Sequence, residues 1–361
     1  MKFDIYKIIV NSLKFLILLG FVVNPITTSA QSINDDDVDL DKIPPRIIRA
    51  CCFFGYDLKL WGVPFISIDQ VISIDDLGEH RYMGDKSEGT GTIYTDKGGF
   101  IDMAHLRDQI DWTRYLYTAI LDSRGKEEVI LRLRNEAGRK TLYLNVPAQL
   151  DTGDCILLAG KITYDLSLWH EISTWFGASS LAIIPEKFSS FSVEDVYSNL
   201  LGVHVGMKTL RSKLPFNAAA TKIIVATLDS LAVVKTAKET YEAYDAVNTK
   251  WYTNKKRLPR TNVTLKRDPD VLSSSRPWIV PDGTSNSRNP IILKVPLLST
   301  KGELLTDFYQ FTIDLNHRFP VEEIFPSRQN RLIDQSDFGV LLNRITSDIQ
   351  IMEKIRVAKN N

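Results

Sequence analysis

The sequence predicts a single α+β domain with a helical core and peripheral β-hairpins. Several stretches repeat apolar residues every three or four positions, which is the spacing of helices with one buried face. Two other stretches alternate apolar and polar residues on both sides of a turn, as antiparallel strand pairs do. Helices and hairpins follow one another irregularly, which favours an α+β domain over a series of βαβ units.

The N-terminus predicts an export signal that is removed. Three lysines precede an apolar run at residues 15–23, and small residues up to Ala30 follow it. A membrane span needs about 20 apolar residues, and this run is about half as long. We therefore expect residues 1–30 to be a signal peptide, cleaved near Ala30. The protein would then be periplasmic or secreted, with no transmembrane span in the mature chain.

The remaining chain divides into a tether and the domain. Residues 31–43 carry aspartates whose mutual repulsion extends the segment, so we expect an acidic disordered tether there. Residues 44–361 are expected to form the single domain. The chain has 44 Lys and Arg residues against 44 Asp and Glu residues, a balance that produces no field attracting nucleic acid. The expected partner is an envelope or extracellular ligand.

Three cysteines leave two alternatives open. Disulfides persist in exported proteins, but adjacent Cys51 and Cys52 are poorly placed to bridge each other, because the bond requires separated Cα atoms and converging side chains. Either one of them pairs with Cys155, or all three are buried thiols that act as small apolar residues. No spacing selects a base that would make any of them a nucleophile.

The first half of the domain predicts two helices around a hairpin. The first helix is expected over residues 103–122, with Asp102 as its N-cap. Residues 127–147 alternate around a turn and predict a β-hairpin. The second helix is expected over residues 156–176 and is unusually apolar on all sides.

The second half predicts three further helices and another hairpin. Ser192 is expected to be the N-cap of a third helix. A continuous apolar rhythm predicts one long helix near residues 217–251. Residues 290–315 predict a β-hairpin that turns at Lys301 and Gly302, and residues 337–357 predict a closing amphipathic helix.

The first predicted helix carries charged residues that a core helix would not need. Successive helical residues turn by about 100°, which places His105 and Asp108 at the border of the buried face. On the same wheel Asp111 lies further round on the outer face. Arg107 and Arg114 are expected to face water.

The second predicted helix is too apolar for the surface and would bury its polar groups. Glu171 is one of only two charged groups between residues 162 and 176, and His170 is beside it. Buried polar groups must be hydrogen-bonded or they cost free energy, so Glu171 needs a partner. A close approach of the two helices would assemble one candidate site, made of His105, Asp108, His170 and Glu171.

This candidate site has two chemical interpretations. His105, His170 and Asp108 offer nitrogen and oxygen ligands of the kind zinc accepts, so a divalent metal such as zinc is the expected cofactor in the first. In the second, no metal binds and Glu171 belongs to an acid/base pair with its pKa raised by burial. The helix of zinc peptidases has histidines on both sides of its glutamate, one turn apart, and no histidine follows Glu171 here.

The same residues also have a purely structural interpretation. In it, Asp108 bonds only to backbone, His105 is a satisfied core histidine, and His170 and Glu171 pin two helices together. His204, which lies in a segment between two glycines, is a candidate extra ligand.

Four ordered segments resemble a known family: "RACCFFG", "GGFIDMAHLRDQIDWT", "YDLSLWHEISTWFG" and "FSVEDVYSNLLGVHVG". Together they look like an uncharacterised family of exported bacterial proteins, the domain of unknown function numbered forty fifty-six. The similarity covers most of the chain from Pro44 onward. It implies a bacterial origin, an envelope or secreted location and a single family domain, and it carries no catalytic role over to any residue.

The sequence therefore leads to two functional hypotheses. The first is an exported hydrolase-like enzyme, metal-dependent in one version, that acts on an envelope or extracellular substrate. In that version the histidines hold a metal that activates water, and Glu171 moves the proton. The second is a noncatalytic envelope protein that binds a ligand or partner, in which the cluster of histidines and acids only locks helix pairing.

Overall fold

The computed structural model describes residues 38–50, 53–61, 63–179, 186–281 and 289–360. The predicted signal peptide, most of the predicted tether, Cys51 and Cys52 lie outside these residues. Within them, no helix is both long and apolar enough to cross a membrane.

Helices form the centre of the domain, and the α+β class is confirmed. The described helices are α1 (Met103–Ser123), α2 (Thr152–Trp175), α3 (Val193–Leu210), α4 (Phe216–Ser230), α5 (Ala237–Val247), the short α6 (Val321–Ile324) and α7 (Phe338–Asn360). The predictions for α1, α2, α3 and the closing helix α7 are confirmed to within a few residues. Asp102 is the N-cap of α1, where its Oδ1 accepts hydrogen bonds from the backbone N–H groups of Ala104 and His105.

The predicted long helix over residues 217–251 is wrong, because the chain breaks between α4 and α5. Ala232 adopts a positive φ of 57°, and the backbone N–H of Val234 bonds to the carbonyl of Tyr94 instead of continuing a helix. Leu231 and Val234 are nevertheless buried in the core. The apolar spacing therefore continues through the break, because that spacing reflects which residues are buried and not whether they are helical.

Four small β-sheets flank the helices. The strands are β1 (Leu58–Leu60), β2 (Val63–Ile68), β3 (Thr92–Thr95), β4 (Gly99–Asp102), β5 (Val129–Arg132), β6 (Gly138–Leu144), β7 (Arg257–Leu258), β8 (Ser274–Ser275), β9 (Leu293–Lys294), β10 (Tyr309–Leu315) and β11 (Leu332–Asp334). The largest sheet has the order β11-β10-β6-β5, with antiparallel neighbours throughout. The predicted hairpin over residues 127–147 is confirmed as β5 and β6.

The predicted hairpin over residues 290–315 is wrong. Its first strand, β9, pairs with β8, and its second, β10, pairs with β6 and β11. Between the two strands there is only an isolated antiparallel bridge from Leu298 to Leu304. Alternation of apolar and polar residues identifies a strand, but it does not identify the strand beside it.

Helix α1 is buried on all sides, which corrects the expected exposure of its arginines. Arg107 and Arg114 are only 1% and 6% exposed. Arg107 donates to the backbone carbonyls of Gly78 and Glu88, and the guanidinium of Arg114 lies 4.3 Å from the ring centre of Phe216. The loops before β3 and the start of α4 cover the face of α1 that the wheel assigned to water.

The three helices α1, α2 and α3 pack closely around the candidate site. At Gly202 of α3, an added Cβ would lie 2.3 Å from the carbonyl oxygen of Leu106 in α1. This contact requires glycine and packs the first turn of α1 against the middle of α3. Nearer the start of α3, the hydroxyl of Ser198 accepts a hydrogen bond from the backbone N–H of Asp102 at 2.8 Å. The site residues of α2 are in its last two turns, so the site lies where two helix N-termini meet one helix C-terminus.

Cys155 is a buried free thiol in α2, so the alternative of a bridge to Cys155 is wrong. Its Sγ lies 3.9 Å from the carbonyl oxygen of Leu150, and it packs with the apolar core. Burial raises the pKa of this thiol, as expected for a cysteine that fills core space.

Candidate functional site

A cleft of about 1080 Å³ opens beside the ends of the three central helices. Its walls come from residues 45–50, from the β5–β6 turn at residues 134–139, and from residues 314–319. Five polar residues of the helices line it: His105, His170, Glu171, Thr174 and Asp195. A ligand in this cleft would therefore contact the predicted site directly.

Three of the four predicted site residues converge at the cleft. His105, His170 and Glu171 each place one ligand atom within 4.8 Å of the others, and we call them the His–Glu triad. The centres of the two imidazole rings are 6.5 Å apart. The first turn of α1 and the last two turns of α2 position these side chains, as the helix pairing inferred from sequence requires.

The ring of His170 is oriented by a buried carboxylate. Its Nδ1 lies 2.8 Å from Oε1 of Glu136 in the β5–β6 turn. Glu136 also pairs with Lys140 at 2.8 Å and with Arg46 at 3.1 Å. Burial alone would raise the pKa of Glu136, but Lys140, His170 and Arg46 outweigh it and hold that pKa well below its usual range. Glu136 is therefore ionised and leaves Nε2 of His170 as the nitrogen available to a ligand.

The ring of His105 is oriented in the same way. Its Nδ1 lies 3.1 Å from Oδ2 of Asp102 and 3.4 Å from Oδ1 of Asp195. Burial raises the pKa of Asp102, but the charge and hydrogen bonds of His105 lower it by more, so the net shift is downward. Nε2 is again the nitrogen that the ring has left for a ligand. The two histidines thus share one arrangement, in which Nδ1 faces a carboxylate and Nε2 is left for a ligand in the cleft.

Glu171 is fixed by donors from the start of α3. Its Oε2 accepts a hydrogen bond from the backbone N–H of Phe191 at 2.7 Å, and Nδ2 of Asn199 lies 3.5 Å from its Oε1. Each oxygen keeps a further lone pair. The predicted need of Glu171 for a partner is met, and the partner is backbone rather than a lysine or arginine.

Sequence reasoning missed Glu194 and Asp195, which we call the acid pair. The hydroxyl of Ser192 lies 3.0 Å from Oε1 of Glu194 and 2.8 Å from Oδ2 of Asp195. Burial and the charges of Glu171 and Asp102 raise the pKa of Asp195 to about 8, against the lowering influence of His105. The signal in the sequence was two consecutive acids in an otherwise apolar first turn.

Asp108 does not join the triad, which corrects its expected place beside His105. Its carboxylate accepts hydrogen bonds from the backbone N–H groups of Ile48 and Arg49, and it pairs with the Arg49 side chain at 3.0 Å. It belongs to a second buried group, which we call the Arg49 network. The members of this network are Arg49, His80, Glu88, Arg107, Asp108 and Asp111.

Two other expectations are also corrected. Asp111 is fully buried instead of lying on an outer face, because its two oxygens meet Nε2 of His80 at 3.0 Å and Nη1 of Arg49 at 2.9 Å. His204 places Nε2 2.8 Å from the carbonyl oxygen of Lys294. It contributes no atom to the groups of converging ligand atoms found among the described residues.

The model of one family, described as a protein of unknown function (DUF4056), matches residues 40–281, about two thirds of the chain. The chain belongs to the DUF4056 family. The resemblance inferred from the four segments is thereby confirmed. No curated protein and no solved structure matched the chain.

The DUF4056 match contains the whole candidate site. The triad, the acid pair and the Arg49 network all lie between residues 40 and 281. The wall at residues 314–319 and the strands β10 and β11 lie beyond it. One side of the cleft is therefore built by a part of the chain that the family match does not reach.

Proposed function

We propose that this DUF4056 protein binds a divalent metal of the zinc type at the His–Glu triad and uses it to activate water for hydrolysis. One observation carries the proposal: the ligand atoms of His105, His170 and Glu171 lie within 4.8 Å of one another on the wall of an open cleft. Two histidine nitrogens and one carboxylate, with a position left open, are a donor set of catalytic zinc.

The surroundings of the two histidines support a metal. Histidines that bind metals almost always direct their other ring nitrogen at a carboxylate, a carbonyl or water, which fixes the ring and raises its basicity. Glu136 does this for His170 and Asp102 for His105. Both carboxylates are buried, so both rings are held in one orientation before any metal arrives.

The cleft supplies the open position that hydrolysis needs. A metal held by three protein ligands at its wall keeps a position for water, and zinc lowers the pKa of such water to about 7. The bonds from Phe191 and Asn199 hold the Glu171 carboxylate still, which assigns it the role of third ligand in preference to moving the proton. The predicted export signal makes an envelope or extracellular molecule the proposed substrate.

Metal content tests the first part of the proposal. Purified wild-type protein should retain about one equivalent of zinc or more per chain, and the double variant His105→Ala, His170→Ala should retain none at the triad. His317→Ala, which changes an exposed histidine, is the matched control and should retain the wild-type amount. Elemental analysis after gel filtration provides the measurement. Equal metal content in wild type and the double variant would overturn the proposal.

The open position has its own test. Protein loaded with Co²⁺ should show visible absorption bands that shift when acetohydroxamate is added, because a bidentate ligand can enter only at an open coordination position. Bands that do not respond would indicate a closed, structural metal site. That outcome would favour the alternative hypothesis, in which the protein binds a ligand or partner without catalysis.

A further inference from the structure

We propose that a second divalent cation binds beside the first, between Asp102 and the acid pair, so that the cleft carries a two-metal centre. This inference rests on the proposed metal site at the triad and deepens it. A second group of ligand atoms, from Asp102, His105 and Asp195, also lies within 4.8 Å of one another. His105 is common to both groups. Its Nδ1 lies 3.1 Å from Asp102 and 3.4 Å from Asp195, so the second cation would take the place of the Nδ1 proton, which leaves to solvent, and both cations would contact the same imidazole ring.

The acid pair has buried oxygens that hydrogen bonds leave unsatisfied. Glu194 and Asp195 are only 1% and 3% exposed. Among the described residues, no donor makes a hydrogen bond to Oε2 of Glu194 or to Oδ1 of Asp195. A buried carboxylate oxygen without a donor costs free energy, and such atoms are rare in native proteins. A cation bound by Asp102, His105 and Asp195 would satisfy the free oxygen of Asp195.

Buried carboxyl groups crowd around the acid pair. Four buried carboxylates influence one another here, from Asp102, Glu171, Glu194 and Asp195. The buried cation that faces them from another segment is Arg267, and its guanidinium donates to the backbone carbonyls of Phe188 and Ser190 instead of to a carboxylate.

The residue types also fit a two-metal centre. In helical proteins such centres are built from about four carboxylates and two histidines that project from neighbouring helices. Here the carboxylates and the two histidines of the triad come from α1, α2 and α3, with Asp102 at the cap of α1.

The experiment uses Mn²⁺ as the probe on the full-length mature chain, stripped of metal with a chelator. Titration should give two ions per wild-type chain, and the electron paramagnetic resonance spectrum should show two exchange-coupled ions. Asp195→Asn keeps the side-chain shape and should bind one ion with an uncoupled spectrum. Asp154→Asn is the control, because this buried aspartate lies on α2 about 25 Å from Glu171 along the helix. It should still bind two coupled ions.

The outcomes separate this inference from the proposed function. One ion in wild type, unchanged in Asp195→Asn, would overturn the second cation and leave the triad site intact. One ion in wild type and none in Asp195→Asn would make Asp195 a ligand of a single site, which also overturns it. Two ions retained in Asp195→Asn would remove Asp195 from the ligands. No bound ion in wild type would overturn both proposals.

Discussion

Two buried groups of charged residues contact the first three turns of α1, and they differ in how completely their carboxylates are bonded. They are the Arg49 network and the acid pair of α3. In the Arg49 network, all six carboxylate oxygens of Glu88, Asp108 and Asp111 accept hydrogen bonds from described residues. In the acid pair, one oxygen of each residue has no donor among the described residues. The carboxylates of the first group are fully bonded without a ligand, although Nδ1 of His80 and Nε and Nη1 of Arg107 make no hydrogen bond to described residues. The carboxylates of the second group are not fully bonded.

The difference shows that burial alone does not separate structural acids from functional ones. Both groups are almost inaccessible to water. The Arg49 network ties Ile48 and Arg49 to α1, and every oxygen of its carboxylates accepts a hydrogen bond. The triad and the acid pair face a cleft and are deficient in cations. What distinguishes a structural ion network from a candidate metal site is whether every carboxylate oxygen has a hydrogen-bond donor.

The largest expected effect is the loss of the Arg49 network. Arg49→Met removes the cation shared by Glu88, Asp108 and Asp111, and leaving buried charges unpaired should lower the free energy of unfolding by about 3–5 kcal/mol. Urea unfolding followed by circular dichroism measures this. Arg81→Ala, at an exposed ion pair, is the control and should change stability by less than about 1 kcal/mol. If Arg49→Met changed the free energy of unfolding as little as Arg81→Ala does, the structural role assigned to the Arg49 network would be wrong.

The next effect depends on pH. Burial would raise the pKa of Asp111, but Arg49 and His80 lower it by more, so the net shift is downward. An acid with a lowered pKa in the folded state stabilises the protein above its ordinary pKa, and that stability is lost as the pH falls through the folded value. Asp111→Asn should therefore cost about 2–3 kcal/mol at pH 7. The unfolding curves of variant and wild type should converge as the pH falls below about 4; a constant difference would contradict the assigned ionisation.

A substitution of Glu136 tests the triad through the hydrogen bond that orients His170. Glu136→Gln weakens the acceptor that orients His170, and second-shell changes of this kind lower metal affinity about 10- to 100-fold. Competition with a chromogenic zinc chelator gives the affinity. Glu186→Gln is the control, since Glu186 also pairs with Arg46 at 3.0 Å, while the carboxylate that bonds to Nδ1 of His170 is that of Glu136. Equal zinc affinities in the two variants would show that Glu136 does not support metal binding at the triad.

The smallest effect is on the stability of the metal-free acid pair. Burial and neighbouring carboxylates raise the pKa of Asp195 to about 8, so without metal its carboxyl group is mostly neutral at pH 7 and an amide resembles it in charge and shape. Asp195→Asn should therefore change the stability of the metal-free protein by less than about 1 kcal/mol. Thermal unfolding in the presence of a chelator measures this. If Asp195→Asn destabilises the metal-free protein as strongly as Asp111→Asn does, the acid pair is a closed network like that of Arg49.

Much of the local structure was predictable because its causes are local. Asp102 caps α1 through hydrogen bonds to residues two and three positions ahead, and α3 begins after Ser192 as predicted. The hairpin over residues 127–147 follows from alternation around one turn. Local patterns failed where the partner was remote: β10 pairs with β6, more than 160 residues earlier in the chain.

The sequence by itself determined that His105, His170 and Glu171 are polar groups buried among apolar residues on two helices, which was enough to nominate them. It also determined the family. Only the tertiary structure decided that Asp108 belongs with Arg49, that Arg107 and Arg114 are buried, and that the acid pair lies behind His105. A helical wheel reports one helix, whereas the environment of a charged group is set by every segment that packs around it, including loops far away in the chain.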